Sequence, residues 1–279
     1  MEREKFIQRL LMLTAMSAVG ILALITFFIL AEGLPVLSKA GLRDFLMSTK
    51  WAPTKGHFGI LSMIVSSVVA TLGALAVGVP LGLACAVVLT EFASPTLRLV
   101  LKPTVELLAG IPSVVYGFLG VVLIVPLIRE HLGGPGLSLL AVSLILGIMI
   151  LPTVISISID AIQAVPVTYR EASLAVGATH WQTVYRVVLP AARSGIITAV
   201  ILAMGRAVGE TMAVIMVAGN ALRMPHSLLD SVRTLTSNIA LELGYASGDH
   251  RAALFATGVV LFAVILVLNG AASLLRRYK

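Results

Sequence analysis

Charged residues are scarce in this sequence. Asp, Glu, Lys and Arg together make up 12% of the 279 residues, whereas 58% are hydrophobic. Soluble globular domains carry about 25% charged residues, because polar side chains must cover the surface that faces water. This chain has too few of them to cover its surface. The shortage excludes an ordinary soluble protein and predicts an all-α integral membrane protein.

Cysteine is almost absent as well, since Cys85 is the only one and lies within an apolar run. A single cysteine cannot form an internal disulfide, so we expect a fold that does not depend on oxidation. The five histidines are scattered along the chain, and no two stand at metal-ligand spacing. We therefore expect no metal site.

Motifs for catalysis and nucleotide binding are also missing. The sequence contains no Gly-x4-Gly-Lys-Ser/Thr phosphate loop, no Gly-x-Ser-x-Gly elbow and no His-Glu-x-x-His pair. We interpret the chain as a protein that is not an enzyme and carries no cofactor of its own. The net charge of +7 does not indicate nucleic-acid binding, because the basic residues lie mostly in short segments between apolar runs.

Long apolar runs are what the sequence has in abundance. Crossing the hydrocarbon core takes about 20 apolar residues in a helix. The first run follows Arg3, Lys5 and Arg9, but it is too long for a signal peptide and has no small-residue cleavage site at its end, so we read it as an uncleaved helix. The predicted spans are 10–31, 60–89, 105–128, 137–160, 195–219 and 252–275.

The distribution of basic residues predicts the orientation of the chain. With six spans both termini lie on one side, and the segments on that side hold 11 Lys and Arg against 8 in the opposite segments. Short cytoplasmic segments are enriched in Lys and Arg. We therefore expect both termini in the cytoplasm, together with the segment between the fourth and fifth spans.

Two charged residues fall inside the fifth predicted span. Arg206 lies about 16 Å into that span, near the middle of the membrane, and Glu210 follows four residues later, on the same face of a continuous helix. Charges at this depth are costly and indicate function by default. Either the two form a structural ion pair, or Arg206 meets an anion that crosses the membrane while Glu210 neutralises it between transport events.

Pro112 marks a second candidate for the path of an anion. Proline breaks the helical hydrogen-bond ladder and can start a new half-helix, whose free N–H groups favour anions. Ser113 and Tyr116 would then add hydroxyl groups to the path. A proline kink that serves only packing is the alternative.

The segment 167–190, between the fourth and fifth spans, predicts two short amphipathic helices separated by Gly177. It could simply lie on the membrane surface. Its residues, however, resemble the EAA loop of ABC-importer permeases, in which Glu-Ala-Ala is followed by glycine and Leu-Pro at fixed spacing. The matching residues are Glu171, Ala172, Gly177, Leu189 and Pro190, with Ser173 in place of the second alanine. The resemblance implies a cytoplasmic coupling helix that docks on a separate ATPase.

Other stretches are similar to one branch of that family, the PstC-type permeases of phosphate importers. The similarity rests on the sequences around Arg206 and Glu210, on 109–118 and on 235–242, and it covers most of the chain from about residue 58. It implies a type I importer fold with a PstA-type permease partner and a PstB-type ATPase dimer, which would bind ATP and Mg²⁺. It also implies an extracytoplasmic PstS-type phosphate-binding protein.

The sequence thus predicts a prokaryotic inner-membrane permease subunit of an ATP-driven phosphate importer. We divide it into residues 1–57, with the first span and an extracytoplasmic loop, and a permease core at 58–279. Import of sulfate or molybdate by the same machinery is one alternative, and a secondary transporter that works without ATP is another. The segment 220–251 is either an ordinary solvated loop or a surface that receives the binding protein.

Overall fold

A computed structural model describes residues 2–277, with the side-chain surroundings of residues 5–39 and 41–274. In this part of the chain, helices are joined by short connections, and one hairpin pairs β1 (Trp51–Ala52) with β2 (His57–Phe58). The helices are α1 (Glu2–Ala40), α2 (Leu42–Met47), α3 (Leu61–Val87), α4 (Pro95–Ala109), α5 (Ser113–Leu119), α6 (Val125–Leu132), α7 (Leu139–Gln163), α8 (Val167–Ala175), α9 (His180–Thr183), α10 (Leu189–Ala191), α11 (Arg193–Gly209), α12 (Met212–Val217), α13 (Leu235–Glu242) and α14 (Gly248–Arg277).

The predicted six-span architecture is confirmed by the length and composition of the described helices. Five helical stretches are long and apolar enough to cross a membrane, and a sixth consists of 180–191 and α11, which meet at a bend of 67°. A π-helical turn extends α3 through residue 92, and another joins α5 to α6. The five unbent stretches are Lys5–Lys39, Leu61–Phe92, Ser113–Leu132, Leu139–Gln163 and Gly248–Leu274.

Two predicted spans differ from the helices that the structure shows. The span predicted at 105–128 is interrupted at 110–112, and the membrane-spanning stretch starts at Ser113 instead. Pro112 explains the break, because it has no N–H to donate and its backbone is extended (φ −58°, ψ 139°). The span predicted at 195–219 is likewise broken, at Glu210, where the backbone is again extended (ψ 132°).

Helices α3 and α7 form the centre of the bundle and approach each other closely. A Cβ atom on Gly78 would lie 2.7 Å from the Gly147 carbonyl oxygen, and one on Gly82 would lie 2.8 Å from a methyl carbon of Val154. The small residues at 78 and 82 therefore serve helix packing. Gly205 and Gly209 do not, since nothing in the described chain lies within 4 Å of a Cβ placed on either.

The long helix α1 contacts the rest of the bundle mainly along α14. An ideal Cβ atom on Gly33 would lie 2.8 Å from the backbone nitrogen of Ala256. The rings of Phe28 and Phe255 meet edge to face with centroids 5.5 Å apart. Most of the other apolar side chains of α1 are exposed. In a membrane this exposed surface faces lipid or another subunit.

A buried carboxylate joins three separate segments at the 220–251 end of the bundle. Glu242 Oε1 accepts a hydrogen bond from Arg233 (2.6 Å), and Oε2 accepts one from Trp51 Nε1 (2.8 Å). Oε2 also lies 2.8 Å from His250 Nε2. The network connects the hairpin, α13 and the start of α14. This part of the 220–251 segment is therefore folded against the bundle.

The same segment also caps the first turn of α7. The backbone N–H groups of Leu139 and Leu140 donate to the carbonyl oxygens of Asp230 and Leu228 at 2.9 and 2.7 Å. Helix α7 then runs for 25 residues, or about 37 Å, to the 167–190 loop. These two polar regions consequently lie at opposite ends of the bundle.

The Asp230 side chain stabilises the turn that provides these caps. Its carboxylate accepts hydrogen bonds from the backbone N–H groups of His226 and Ser227, both at 2.9 Å. These bonds, with a smaller contribution from the Arg223 charge, hold the pKa of the carboxyl below its usual value of 3.8.

Candidate functional site

Arg206 lies in the last turn of α11, where its guanidinium is half-buried. Its side chain forms no hydrogen bond or ion pair with the side chains described at 5–39 and 41–274. Glu210 is among these residues. The predicted pairing with Glu210 is therefore wrong for this conformation. The physical reason is the helix end at Gly209, since side chains four residues apart share a face only on a continuous helix.

Glu210 starts the next half-helix instead. Its carboxylate oxygen Oε1 accepts a hydrogen bond from the backbone N–H of Ala213 at 3.1 Å, which caps α12. Its carbonyl oxygen accepts a hydrogen bond from the Thr236 hydroxyl at 3.0 Å, so α13 packs on the break from the other side. Glu210 thus fixes the position of the break in the fifth span, and Arg206 lies on its edge.

The break predicted at Pro112 is confirmed, and α5 begins with Ser113. Ser113 is half-buried, and its hydroxyl makes no hydrogen bond to the described residues. Tyr116 is buried, and its hydroxyl donates to the carbonyl oxygen of Leu108, in the last turn of α4, at 2.8 Å.

The two half-helices α5 and α12 pack directly against each other. An ideal Cβ atom on Gly117 would lie 2.9 Å from the Ala213 Cα and 2.7 Å from the Met216 sulfur. The structure therefore brings Arg206, Glu210 and Tyr116 to one region, where two broken spans meet. Val115 and Phe118 of α5 remain exposed there, with 42% and 57% of their surface accessible.

The 167–190 loop folds as two short helices, as its sequence predicts. Gly177 ends α8 in the left-handed region (φ +87°), and open space surrounds its ideal Cβ position, so the backbone angle alone requires glycine. Thr179 begins α9 with a reciprocal capping box to Gln182. The loop is consequently a defined structure with two capped helices.

Ser173, the residue that departs from the family pattern, joins these two helices. Its hydroxyl forms a hydrogen bond with the Thr183 hydroxyl at 2.9 Å. Leu189 packs against the apolar cluster at this end of the bundle, and Pro190 follows it as the second residue of α10. These contacts hold the inner face of the loop against the helix bundle.

The outer face of the loop is open and largely apolar. Glu171 and Ala172 are exposed. Five large hydrophobic residues of the loop are exposed as well, with the accessible fraction of each in parentheses: Tyr169 (51%), Leu174 (48%), Val176 (86%), Trp181 (61%) and Tyr185 (65%). An apolar patch that covers one capped structural unit is typical of a protein interaction site.

A further contact at this loop has no counterpart in the sequence analysis. Arg170 donates to the Glu91 carboxylate at 2.7 Å and also to the carbonyl oxygens of Val165 and Ile162. The two charged residues are 79 positions apart in sequence. The only sign of this contact in the sequence is Glu91, a single carboxylate at the end of an apolar run.

Comparison with known proteins gives a family for this arrangement. Residues 78–278 match the family described as the binding-protein-dependent transport system inner membrane component. The probable ABC transporter permease protein YqgH of Bacillus subtilis is 43% identical over 262 residues, covering 91% of this chain and 83% of YqgH. PstC, the phosphate transport system permease protein, is 38% identical in Mesorhizobium japonicum (81% of this chain, 75% of PstC) and 36% in Xylella fastidiosa (91% and 85%).

Solved structures show the same fold at lower sequence identity. A bacterial ABC transporter for alginate import aligns with a TM-score of 0.65 and 19% identity over 99% of both chains. The MetNI methionine ABC transporter in an inward-facing conformation aligns with a TM-score of 0.58 and 22% identity, over 78% of this chain and 93% of its own. Since the family match extends over residues 78–278, this chain belongs to the inner membrane components of binding-protein-dependent transport systems.

Proposed function

We propose that this chain is the PstC-type permease subunit of an ATP-driven importer that carries inorganic phosphate across the cytoplasmic membrane of a prokaryote. The observation that carries the proposal is its similarity to proteins named as phosphate transport permeases, which share 36–38% identity with it over 81–91% of its length. Arg206 supports it as well, since it is half-buried beside a broken span and has no ion-pair partner among the described residues.

Arg206 is the residue best suited to meet the anion. A charged residue at the centre of a membrane helix costs about 2.5–3.5 kcal/mol or more, and an anion that pairs with it lowers this cost. The guanidinium presents a planar fork of N–H donors that matches two oxygens of a phosphate. Among the described residues no carboxylate pairs with this fork, and Glu210 Oε1 accepts from the Ala213 N–H instead.

Glu210, Ser113 and Tyr116 take different parts in the proposed path. Glu210 neutralises Arg206 only in a state that brings its carboxylate to the guanidinium, since in this conformation the two form no ion pair. Ser113 has a free hydroxyl that can donate to the anion. Tyr116 already donates its proton to Leu108, so it has none to offer the anion unless the end of α4 moves. Among the two hydroxyls, Ser113 is therefore the stronger candidate.

The 167–190 loop is the proposed contact with the ATPase. Its exposed residues, with Glu171, Ala172 and Gly177 at the family spacing, would dock on a PstB-type ATPase dimer, which binds ATP and Mg²⁺. A PstA-type permease would complete the pathway beside α5 and α11. A PstS-type binding protein would deliver phosphate at the opposite end, near 220–251. Closure of the ATPase dimer would displace the loops and switch the cavity from outward- to inward-facing.

The test is phosphate uptake by vesicles that contain this chain, the partner permease and the ATPase, with the binding protein added. Uptake that requires ATP and is inhibited by arsenate alone is the expected result. Arg206→Gln should abolish it, whereas Lys102→Gln, on the exposed side of α4, should leave it close to wild type. Competition by sulfate or molybdate would change the assigned cargo, and uptake without ATP would refute the importer.

The orientation has a separate test in intact cells. Cysteines are introduced at two exposed positions, Val176 in the loop and Ser247 at the other end, after Cys85 is replaced by serine. A membrane-impermeant maleimide should label Ser247→Cys and leave Val176→Cys unlabelled until the membrane is opened. The reverse pattern would place the loop and both termini outside the cytoplasm.

A further inference from the structure

The coupling loop is tied to the membrane bundle by a single arginine that contacts two helix ends. Arg170 of α8 donates to the carbonyl oxygens of Ile162 (3.1 Å) and Val165 (2.9 Å), at the end of α7. Its second terminal nitrogen also donates to Glu91 Oε1 at 2.7 Å. Glu91 belongs to the π-helical turn that extends α3. One guanidinium thus joins α8, α7 and α3.

The carboxylate that receives Arg170 is itself well buried. Only 6% of the Glu91 side chain is accessible, against 22% for Arg170. Its second oxygen lies 3.5 Å from Nε2 of His180, the first residue of α9. The ring of Phe92 covers His180 with centroids 5.0 Å apart. Glu91 therefore contacts both short helices of the loop, and an aromatic ring covers one side of the contact.

We infer that Glu91 and Arg170 form a clamp that makes the coupling loop move together with α3 and α7. The inference rests on the proposed function of the loop as the ATPase contact. Charge-assisted hydrogen bonds are short and directional, and they are strongest where water is excluded. Without the clamp, α8 keeps its backbone connection to α7 and its Ser173–Thr183 hydrogen bond to α9, but it loses the hydrogen bonds that Arg170 makes to α7 and to Glu91. With the clamp, a displacement of the loop is passed directly to two packed helices.

The other connection of the loop to the bundle is of a different kind. Between α10 and α11 the chain bends by 67°. A break between two helices is a position at which a hinge can lie. The loop is thus fixed to α3 and α7 by the clamp and meets α11 at this bend. Glu91 and Arg170 are accordingly positioning residues for energy coupling, and they do not touch the transported anion.

Hydrogen–deuterium exchange of the purified chain tests whether the clamp exists. Glu91→Gln should speed exchange of the amides in 168–176 by about tenfold or more, because a charge-assisted hydrogen bond to a buried group is lost. Arg170→Lys, which keeps the charge but not the fork, should have a smaller effect. Glu106→Gln, on the exposed side of α4, is the matched control and should exchange as wild type does. Wild-type exchange rates in both clamp variants would overturn the inference.

The reconstituted complex tests what the clamp does. In Glu91→Gln the amount of anion transported per ATP hydrolysed should fall at least about threefold, because loop displacement is no longer passed on fully. A merely structural role would lower transport and hydrolysis together and leave this ratio unchanged, which would overturn the coupling role. If the wild-type complex moves no phosphate, the proposed function fails, while the exchange measurement, which needs no substrate, still decides whether the clamp exists.

Discussion

Replacement of Gly117 by alanine tests how the two half-helices at the candidate site are packed. A Cβ atom at this position would lie 2.9 Å from the Cα of Ala213, which is 0.5 Å short of the 3.4 Å at which ordinary contact begins. The Met216 sulfur, at 2.7 Å, belongs to a flexible side chain and can move aside. The Ala213 Cα cannot, because it is backbone. Relief therefore requires a shift of α12 itself.

Two opposing free energies set the size of the effect on stability. Overpacking costs about 1–3 kcal/mol, and alanine in place of glycine within a helix gains about 1 kcal/mol. Gly205→Ala is the matched control, because it offers the same helical gain and its Cβ meets nothing within 4 Å. The difference between the two variants isolates the packing cost. For a chain of this size it corresponds to a melting temperature about 2–5 °C lower for Gly117→Ala than for Gly205→Ala.

The chain provides its own reporter for this measurement. Cys85 is its single thiol and is partly buried in α3 against the apolar cluster at the loop end. A thiol-reactive fluorophore should therefore react fully only when the purified chain unfolds on heating. Equal melting temperatures for the two alanine variants would show that α5 and α12 are not in direct contact, and the described geometry of the site would be refuted.

Three other predictions follow from contacts outside the candidate path. Ser173→Ala should lower the free energy of unfolding of the loop by about 0.5–1.5 kcal/mol, since the bond to Thr183 is lost, and exchange of the loop amides measures this. Glu242→Gln should destabilise the chain by about 2–4 kcal/mol, because Arg233 then loses its buried counter-charge, and thermal unfolding reports it. The Asp230 carboxylate stabilises its turn above pH 3.8, and this stability is lost as the pH falls through the lowered pKa of the carboxyl. Amide exchange at 226–231 should therefore become faster in wild type over that pH range. Asp230→Asn should show no such pH dependence.

The overall architecture was predictable because membrane-spanning helices are specified locally. Each span needs a long apolar run and nothing else from the rest of the chain, so composition alone located the stretches that became α1, α3, α7 and α14. The loop was predictable for a related reason, since Gly177 needs a positive φ and Thr179 caps the helix that follows. These are signals that a single short segment carries.

The pairing of Arg206 with Glu210 failed because it assumed that the helix continues. Spacing of four residues places side chains together only if every intervening residue is helical. Glu210 adopts an extended backbone and uses its carboxylate to cap α12. The sequence offers no proline at this break, unlike the break at Pro112, which was predictable. Contacts such as Arg170 with Glu91 are harder still, since they join residues that only the folded chain brings together.

The arrangement of rigid and hinged connections explains how movement of the loop can reach Arg206. Helix α11 begins at the 67° bend and carries Arg206 about 20 Å away, thirteen residues later at 1.5 Å per residue. The clamp fixes the loop to α3 and α7, and in the proposed importer the bend is where α11 would change its angle to them. A small rotation there would produce its largest displacement at the far end of α11, next to the break at Glu210. In the proposed importer, this displacement would carry Arg206 past α5 and change the side of the membrane to which the cavity is open.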